Sequence, residues 1–135
     1  MMWIKRNRMD NQPERSVIPI FTSRGDPEAF LVYPYIYNRQ GEWIGWATSD
    51  RQIYSVLGYY VGTLTPEPRI VRRRITISRK AQKSSPPRPP RLSVPATIPL
   101  APLMPDLRFG MMDVLLEEPE RLHTLDAGEF REDLD

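Results

Sequence analysis

From Ile20 to Ile77 the apolar positions come in short pairs, each followed at fixed distances by small residues. Ile20-Phe21 is followed by Gly25 and Ala29, Ile36-Tyr37 by Gly41 and Gly45, and Ile53-Tyr54 by Gly58 and Gly62. The pattern is Ile-aromatic-x3-Gly-x3-small. Its starts lie 16 and then 17 residues apart, and a further 17 lead to Ile70-Val71. Repetition of this kind fixes architecture before it says anything of function.

Each unit reads as two short strands around a turn. In the second, Tyr35-Ile36-Tyr37 is a β-rich run, Asn38-Arg39-Gln40-Gly41 supplies turn chemistry, and Glu42-Trp43-Ile44-Gly45-Trp46 resumes in extended form. Gly25, Gly41 and Gly58 fall where a hairpin needs a positive φ, which makes them geometric residues and not phosphate-cradling ones. Gly45 and Gly62, with Ala29, fall in mid-strand, where recurrent smallness predicts close approach of neighbouring backbones. Strict alternation would set Trp43, Gly45 and Ala47 on one face and Ile44, Trp46 and Thr48 on the other. The fourth unit lacks its glycines. Its stretch Arg69 to Ser78 alternates Ile75 and Ile77 against Arg74, Thr76 and Ser78, a half-buried strand pattern that would close the sheet. The expected fold is all-β, a small shallow barrel of about four hairpin-like repeats with 7–8 short antiparallel strands.

Composition changes the picture outside the repeats. Eight of the 15 prolines lie between Pro86 and Pro105, a density that excludes helix interiors and central strands. The chain of 135 residues therefore divides into a basic leader over 1–15, expected to be flexible, a repeat β domain over 16–79, a Pro-rich basic linker over 80–105 and an acidic amphipathic tail over 106–135. About 64 residues remain for the core, near the lower limit for independent stability, so oligomerisation is one expectation. In the tail, helix and strand both fit Met111 to Leu116, and Pro119 is placed to open a short helix through Leu125.

The net charge of +2 conceals a separation. Arg69 to Arg91 holds nine Lys or Arg and no acid, whereas Asp106 to Asp135 holds ten acids against three arginines. There is no cysteine, which removes disulfides, thiolate metal sites and thiol nucleophiles. The amino-terminal segment is basic but lacks the apolar run of roughly 7–15 residues that a secretory signal needs. With no apolar run of about 18 residues either, the expected location is cytoplasmic.

The triple motif Ile36-Tyr37-x3-Gly41-x3-Gly45-Trp46, Ile53-Tyr54-x3-Gly58-x3-Gly62 and its counterpart from Ile20 resembles the bacterial four-fold β-flower proteins. The resemblance extends to the Pro/basic stretch and to Met112-Asp113-Val114-Leu115 with Glu117-Glu118-Pro119-Glu120-Arg121-Leu122, about two thirds of the chain. It implies four hairpin-like units in a shallow symmetric barrel. Ile75 stands where the fourth glycine belongs, so the symmetry is imperfect. The family implies no activity.

Reactive groups are sparse. His123 is the single histidine, and no nucleophile elbow, histidine metal cluster or Walker-type loop is present. Asp26, Glu28, Glu42, Asp50 and Glu67 are the carboxylates an acid/base couple would draw on, but they lie beside turns or linkers. The expectation is no enzyme and no cofactor.

The first functional expectation is an interaction module that presents its tail to a protein partner through Phe109, Met112, Val114, Leu115, Leu116 and Leu122; the alternative for the segment from Phe109 to Leu125 is that it folds back on the barrel's own sheet. The second is binding to an anionic lipid or membrane surface through the barrel and the basic residues Arg69, Arg72, Arg74, Arg79 and Lys80, of which Arg72 and Arg74 would share a strand face. The same basic stretch is equally suited to neutralising the acidic tail. The third is single-stranded nucleic acid stacked on Tyr35, Tyr37, Trp43, Trp46, Tyr54, Tyr59 and Tyr60, although their repeat positions favour packing, with Trp43 and Trp46 structural.

Overall fold

The fold was obtained as a computed structural model in which residues 16–75 and 83–127 are described. The leader over 1–15, Ile77, Arg79 and Lys80 lie outside the described residues. Eight strands follow one another as β1 (Ile18–Phe21), β2 (Pro27–Val32), β3 (Tyr35–Tyr37), β4 (Trp43–Ala47), β5 (Gln52–Ser55), β6 (Tyr60–Leu64), β7 (Ile70–Arg73) and β8 (Met111–Asp113). Each pairs antiparallel with the next in a single curled sheet, a half-barrel ordered β1 to β8.

The four pairs β1–β2, β3–β4, β5–β6 and β7–β8 are the four repeats. In the first three the register shifts at the Ile-aromatic step, between Ile20 and Phe21, Ile36 and Tyr37, and Ile53 and Tyr54. Such a bulge bends the strand and sharpens its twist, which curls the sheet. It also breaks strict alternation. Gly45 lies opposite Ile36 and Trp43 opposite Tyr37, so Ile44 is the extra residue. Ile44 joins Ala47 in the central core, while Trp43 and Trp46 share the aromatic cluster on the other face. The faces expected from simple alternation are corrected accordingly.

Ile20, Ile36, Ile53 and Ile70 are each 0% exposed and meet in one core. Burying a side chain of this size contributes about 1.5–3 kcal/mol. The backbones approach closely around them. A Cβ on Gly45 would stand 2.6 Å from the Tyr54 carbonyl oxygen, and one on Gly62 2.6 Å from that of Val71.

The fourth repeat is where sequence and structure part. β7 ends at Arg73, and Ile75, expected on a half-buried strand, is 81% exposed because it lies past the core at the end of the hairpin. The return strand comes from beyond the Pro-rich stretch. β8 pairs with β7 through Val71↔Asp113, Arg72↔Met112 and Arg73↔Met111. Arg74 N donates to Gly110 O at 2.7 Å, and Gly110 adopts φ +84°, matching Gly25, Gly41 and Gly58 at +89°, +84° and +91°. The fourth glycine thus exists, displaced to position 110. After β8 come one helical turn, α1 (Val114–Glu117), and a 3-10 turn over Pro119–Arg121. Val114, Leu115 and Leu122 complete the central core. The domain expected to end at 79 therefore includes β8 and continues through Leu125, which packs on the aromatic cluster.

The Pro-rich stretch is a strap and not a spacer. An extended proline-rich chain makes no hydrogen bonds to itself, so its remaining amides are available to neighbours. Lys83 N donates to Gly58 O at 3.0 Å and Leu92 N to Gly41 O at 2.9 Å. Ser85 Oγ donates to Val56 O at 2.6 Å and Arg91 Nε to Gln40 O at 3.1 Å. Ala101 faces Gly25. The contacts at 83, 92 and 101, and Gly110 itself, follow at nine-residue intervals. The strap crosses the turns of repeats three, two and one in that order and then becomes the turn of repeat four.

Candidate docking surface

The basic residues are brought together by β7, but not as a free patch. Arg69 is 3% exposed. Its Nη1 donates to Ser23 Oγ at 2.9 Å, and Ser23 in turn donates through N and Oγ to Asp113 Oδ2 at 2.5 and 2.6 Å. Together with Phe21 N to Pro68 O at 3.0 Å, these bonds bridge repeat one to repeat four, where β1 and β8 end the ladder. Asp113 also caps α1, accepting from Leu116 N at 3.2 Å. A buried carboxylate with these donors is costly to alter. Asp113→Asn, which replaces one acceptor by a donor, is expected to cost about 2 kcal/mol in chemical denaturation; an unchanged midpoint would show that the seam does not depend on this charge.

Arg72 and Arg74 share a face as the alternation predicts, and both turn toward α1. Arg72 Nη2 lies 2.8 Å from Glu118 Oε1, which also takes Arg121 Nε at 2.9 Å. Arg74 holds Glu117 through two bonds of 2.8 and 3.0 Å. Arg72 and Arg74 thus pair with acids of the chain's own tail segment. Hydrogen bonds from Arg121 and then Arg72 hold the Glu118 carboxyl below the ordinary value of 4.5, and Arg74 does the same for Glu117. A carboxyl with a depressed folded pKa stabilises above its unfolded pKa, and that stabilisation fades as pH falls through the folded value. Glu118→Gln is therefore expected to be less stable at neutral pH and to lose less on acidification from about pH 5 to pH 3. Urea midpoints at both ends check the sign.

The aromatic residues are engaged with one another. Trp46 stacks on Tyr54 at 5.0 Å, Tyr35 meets Trp43 edge-on at 6.2 Å, and Trp43 Nε1 donates to Gly45 O at 2.7 Å. Trp43 and Trp46 are buried, Leu92 of the strap packs against the cluster, and Lys83 Nζ sits 5.9 Å over the Tyr54 ring. Tyr35 and Tyr60 are half-buried and Tyr59 is 49% exposed.

Of the tail residues expected to face a partner, Met112, Val114, Leu115 and Leu122 are buried in the domain and Leu116 is half-buried. Their apolar pattern is that of a core strand and helix. Phe109 alone is fully exposed. Phe109 lies in the turn that leads into β8 and Ile75 just beyond the end of β7, both exposed to solvent. Leu103, on the strap span leading into this tip, is 93% exposed, as is Leu100 nearby in sequence at 95%. Arg73 and Arg108 are exposed beside the pair in sequence.

The other three tips are covered. A Cβ on Gly41 would collide with the Leu92 carbonyl oxygen and one on Gly25 would touch Ala101, while Gly58 carries Lys83. Among the described residues, a Cβ on Gly110 would meet nothing within 4 Å. Sequence reasoning missed Ile75 and Leu103 as surface residues. The signal was present in the loss of glycine from position 75.

Among the described residues no group of three or more His, Cys, Asp or Glu is arranged to hold a metal, and no helix is long and apolar enough to cross a membrane. Glu42 is tied to Asn38 Nδ2 at 2.8 Å and Asp50 to the Thr48 hydroxyl. The family model described as 4-fold beta flower protein matches residues 18–112, a span that runs from β1 through the strap into β8. No match was found among curated proteins or solved structures.

Proposed function

The chain belongs to the four-fold β-flower family, and from that premise we propose that it is a non-enzymatic interaction module that docks a partner at the tip of its fourth hairpin. One observation carries the reading. Phe109 and Ile75, at the two ends of the fourth hairpin's turn region, are large apolar side chains exposed to solvent, and among the described residues nothing lies within 4 Å of a Cβ placed on Gly110. Large apolar side chains gathered in solvent mark an interaction surface.

A photo-crosslinking amino acid at position 109, compared with one at Ser93 on the strap, tests this in the native cell extract. Discrete adducts from 109 and none from 93 are expected. Absence of adducts from 109 overturns the reading. The tip contributes little to stability, so Phe109→Ser with Ile75→Ser should leave the denaturation midpoint within about 0.5 kcal/mol of the parent, measured on the purified pair.

A second reading is favoured by Arg73 and Arg108, exposed near the apolar pair in sequence. It is attachment to an anionic lipid surface, with Phe109 as the inserting group. Co-sedimentation with neutral and anionic liposomes at low and physiological salt separates the cases. Binding to both would mean apolar insertion, and binding to neither would end this reading.

A further inference from the structure

We propose that the strap presents a preformed polyproline ligand, the outward ridge from Pro99 to Pro105, to another protein that carries an uncharged groove lined by aromatic side chains. The inference stands on the strap and does not depend on docking at the fourth hairpin.

Burial along the strap repeats every three residues. From Pro86 to Gly110 each third residue is half-buried, and every residue between them except Val94 is exposed. Three residues per turn is the period of a polyproline II helix, so the strap is a three-edged rod that lies on the domain by one edge. Two edges are left outward. Apolar residues stand on all three edges, so the sequence by itself does not mark the inward one. The rod is fixed where Leu92 N donates to Gly41 O at 2.9 Å, where Ala101 Cβ lies 3.6 Å from a Cβ placed on Gly25, and where Arg74 N donates to Gly110 O at 2.7 Å. No bend or turn interrupts it from Thr97 to Arg108.

The outward edges change character along the rod. In the first span they carry Arg88 and Arg91 beside Pro87 and Pro90, whereas Leu92 to Pro105 carries no charge. Past Ile98 one outward edge is Pro99, Pro102 and Pro105, and the other holds Leu100 and Leu103, which are 95% and 93% exposed. The two leucines are one turn apart, about 9 Å along the axis. Large apolar side chains held in solvent on a straight, seated helix mark an interaction surface.

The chemistry of the ridge selects its occupant. Proline has no N–H and this helix makes no hydrogen bonds to itself, so the ridge offers apolar surface and carbonyl acceptors. Its complement is a groove that is apolar and yet donates, which tryptophan and tyrosine supply through the indole N–H and the phenol O–H. A charged rim gains nothing opposite an uncharged ligand, so the groove matches in charge only if it is uncharged as well. A second copy of this chain is a poor source, because Trp43 and Trp46 are buried in the domain. The strap is already held in its extended form, so binding does not bear the cost of ordering it.

The test uses the full chain and two fluorescein-labelled probes, a WW-type module with an uncharged groove of tryptophan and tyrosine and an SH3-type module whose aromatic groove is flanked by acids. Fluorescence anisotropy is expected to show the WW-type module binding with a Kd below about 1 mM and the SH3-type module binding about tenfold more weakly or less. The double variant Leu100→Ser/Leu103→Ser should lose about tenfold or more with an unchanged denaturation midpoint, whereas Pro87→Ala/Pro90→Ala should bind as the parent does. Pro102→Gly, which loosens the rod, is an independent variant expected to weaken binding. No binding of the WW-type module at about 1 mM, undiminished binding by the leucine variant, or stronger binding by the SH3-type module overturns the proposal. A dimer in light scattering that the leucine variant abolishes would assign the ridge to a second copy, and liposome co-sedimentation that it abolishes would assign it to a membrane; either overturns the proposal too.

Discussion

A chain that ends at Pro105 is expected not to fold. Read as a tethered tail, residues 106–135 would be dispensable to the domain, yet they carry β8, the cap residue Asp113 and the core side chains Met112, Val114, Leu115 and Leu122. Each of the four apolar side chains contributes about 1.5–3 kcal/mol by burial, together roughly the whole stability of a small domain, about 5–15 kcal/mol. Their loss also leaves β7 without a partner on one side and opens the seam at Ser23. Circular dichroism of the truncated chain should show no cooperative thermal transition. A transition within a few degrees of the parent would mean that β8 is an accessory and not part of the sheet.

The second large effect is expected from one added methyl group. In Gly45→Ala the new Cβ would lie 2.6 Å from the Tyr54 carbonyl oxygen and 2.7 Å from Leu122 Cδ2. The leucine can rotate, but the carbonyl belongs to the neighbouring strand and cannot move alone. Overpacking of this kind costs about 3 kcal/mol. Gly110→Ala is the control, since it meets open space and bears only the cost of φ +84°, about 1–2 kcal/mol. Chemical denaturation of both variants should rank Gly45→Ala clearly worse. Equal costs would mean that the strands around the core are not packed so closely.

Both results bear on how far this protein was legible from its residues. The four buried isoleucines, the three turn glycines and the small mid-strand residues all announced themselves, because each is a local requirement repeated at even spacing. The bulges were hidden, since one extra residue such as Ile44 leaves no mark in composition and yet moves Trp43 to the face of Trp46. The fourth return strand was hidden more deeply. Its glycine lies at 110, and Met112 to Leu116 is apolar in a way that core and partner-binding peptides share. The strap was illegible for a different reason. Proline-rich chain has no sequence period that reports burial, and two of its bonds run from backbone amides to turn carbonyls, for which no side chain need be special. The basic stretch was readable as charge, but only the position of α1 decided that Arg72 and Arg74 answer Glu118 and Glu117. Phe109, within the tail segment already singled out, and Ile75, the residue that broke the repeat, are both exposed.

The split fourth hairpin also sets a timetable. In the first three repeats a strand meets its partner after a turn of a few residues, whereas Val71 must wait for Asp113, and Ser23 finds Asp113 only 90 positions further along the chain. Contacts between such distant segments form slowly because a long loop must close before they reward it. During synthesis, three hairpins can assemble as they emerge while β7 remains an unpaired edge until Met111 to Asp113 have left the ribosome. The sheet is therefore completed last at β8, and the interval before β8 arrives is when it is most exposed to misassociation through β7.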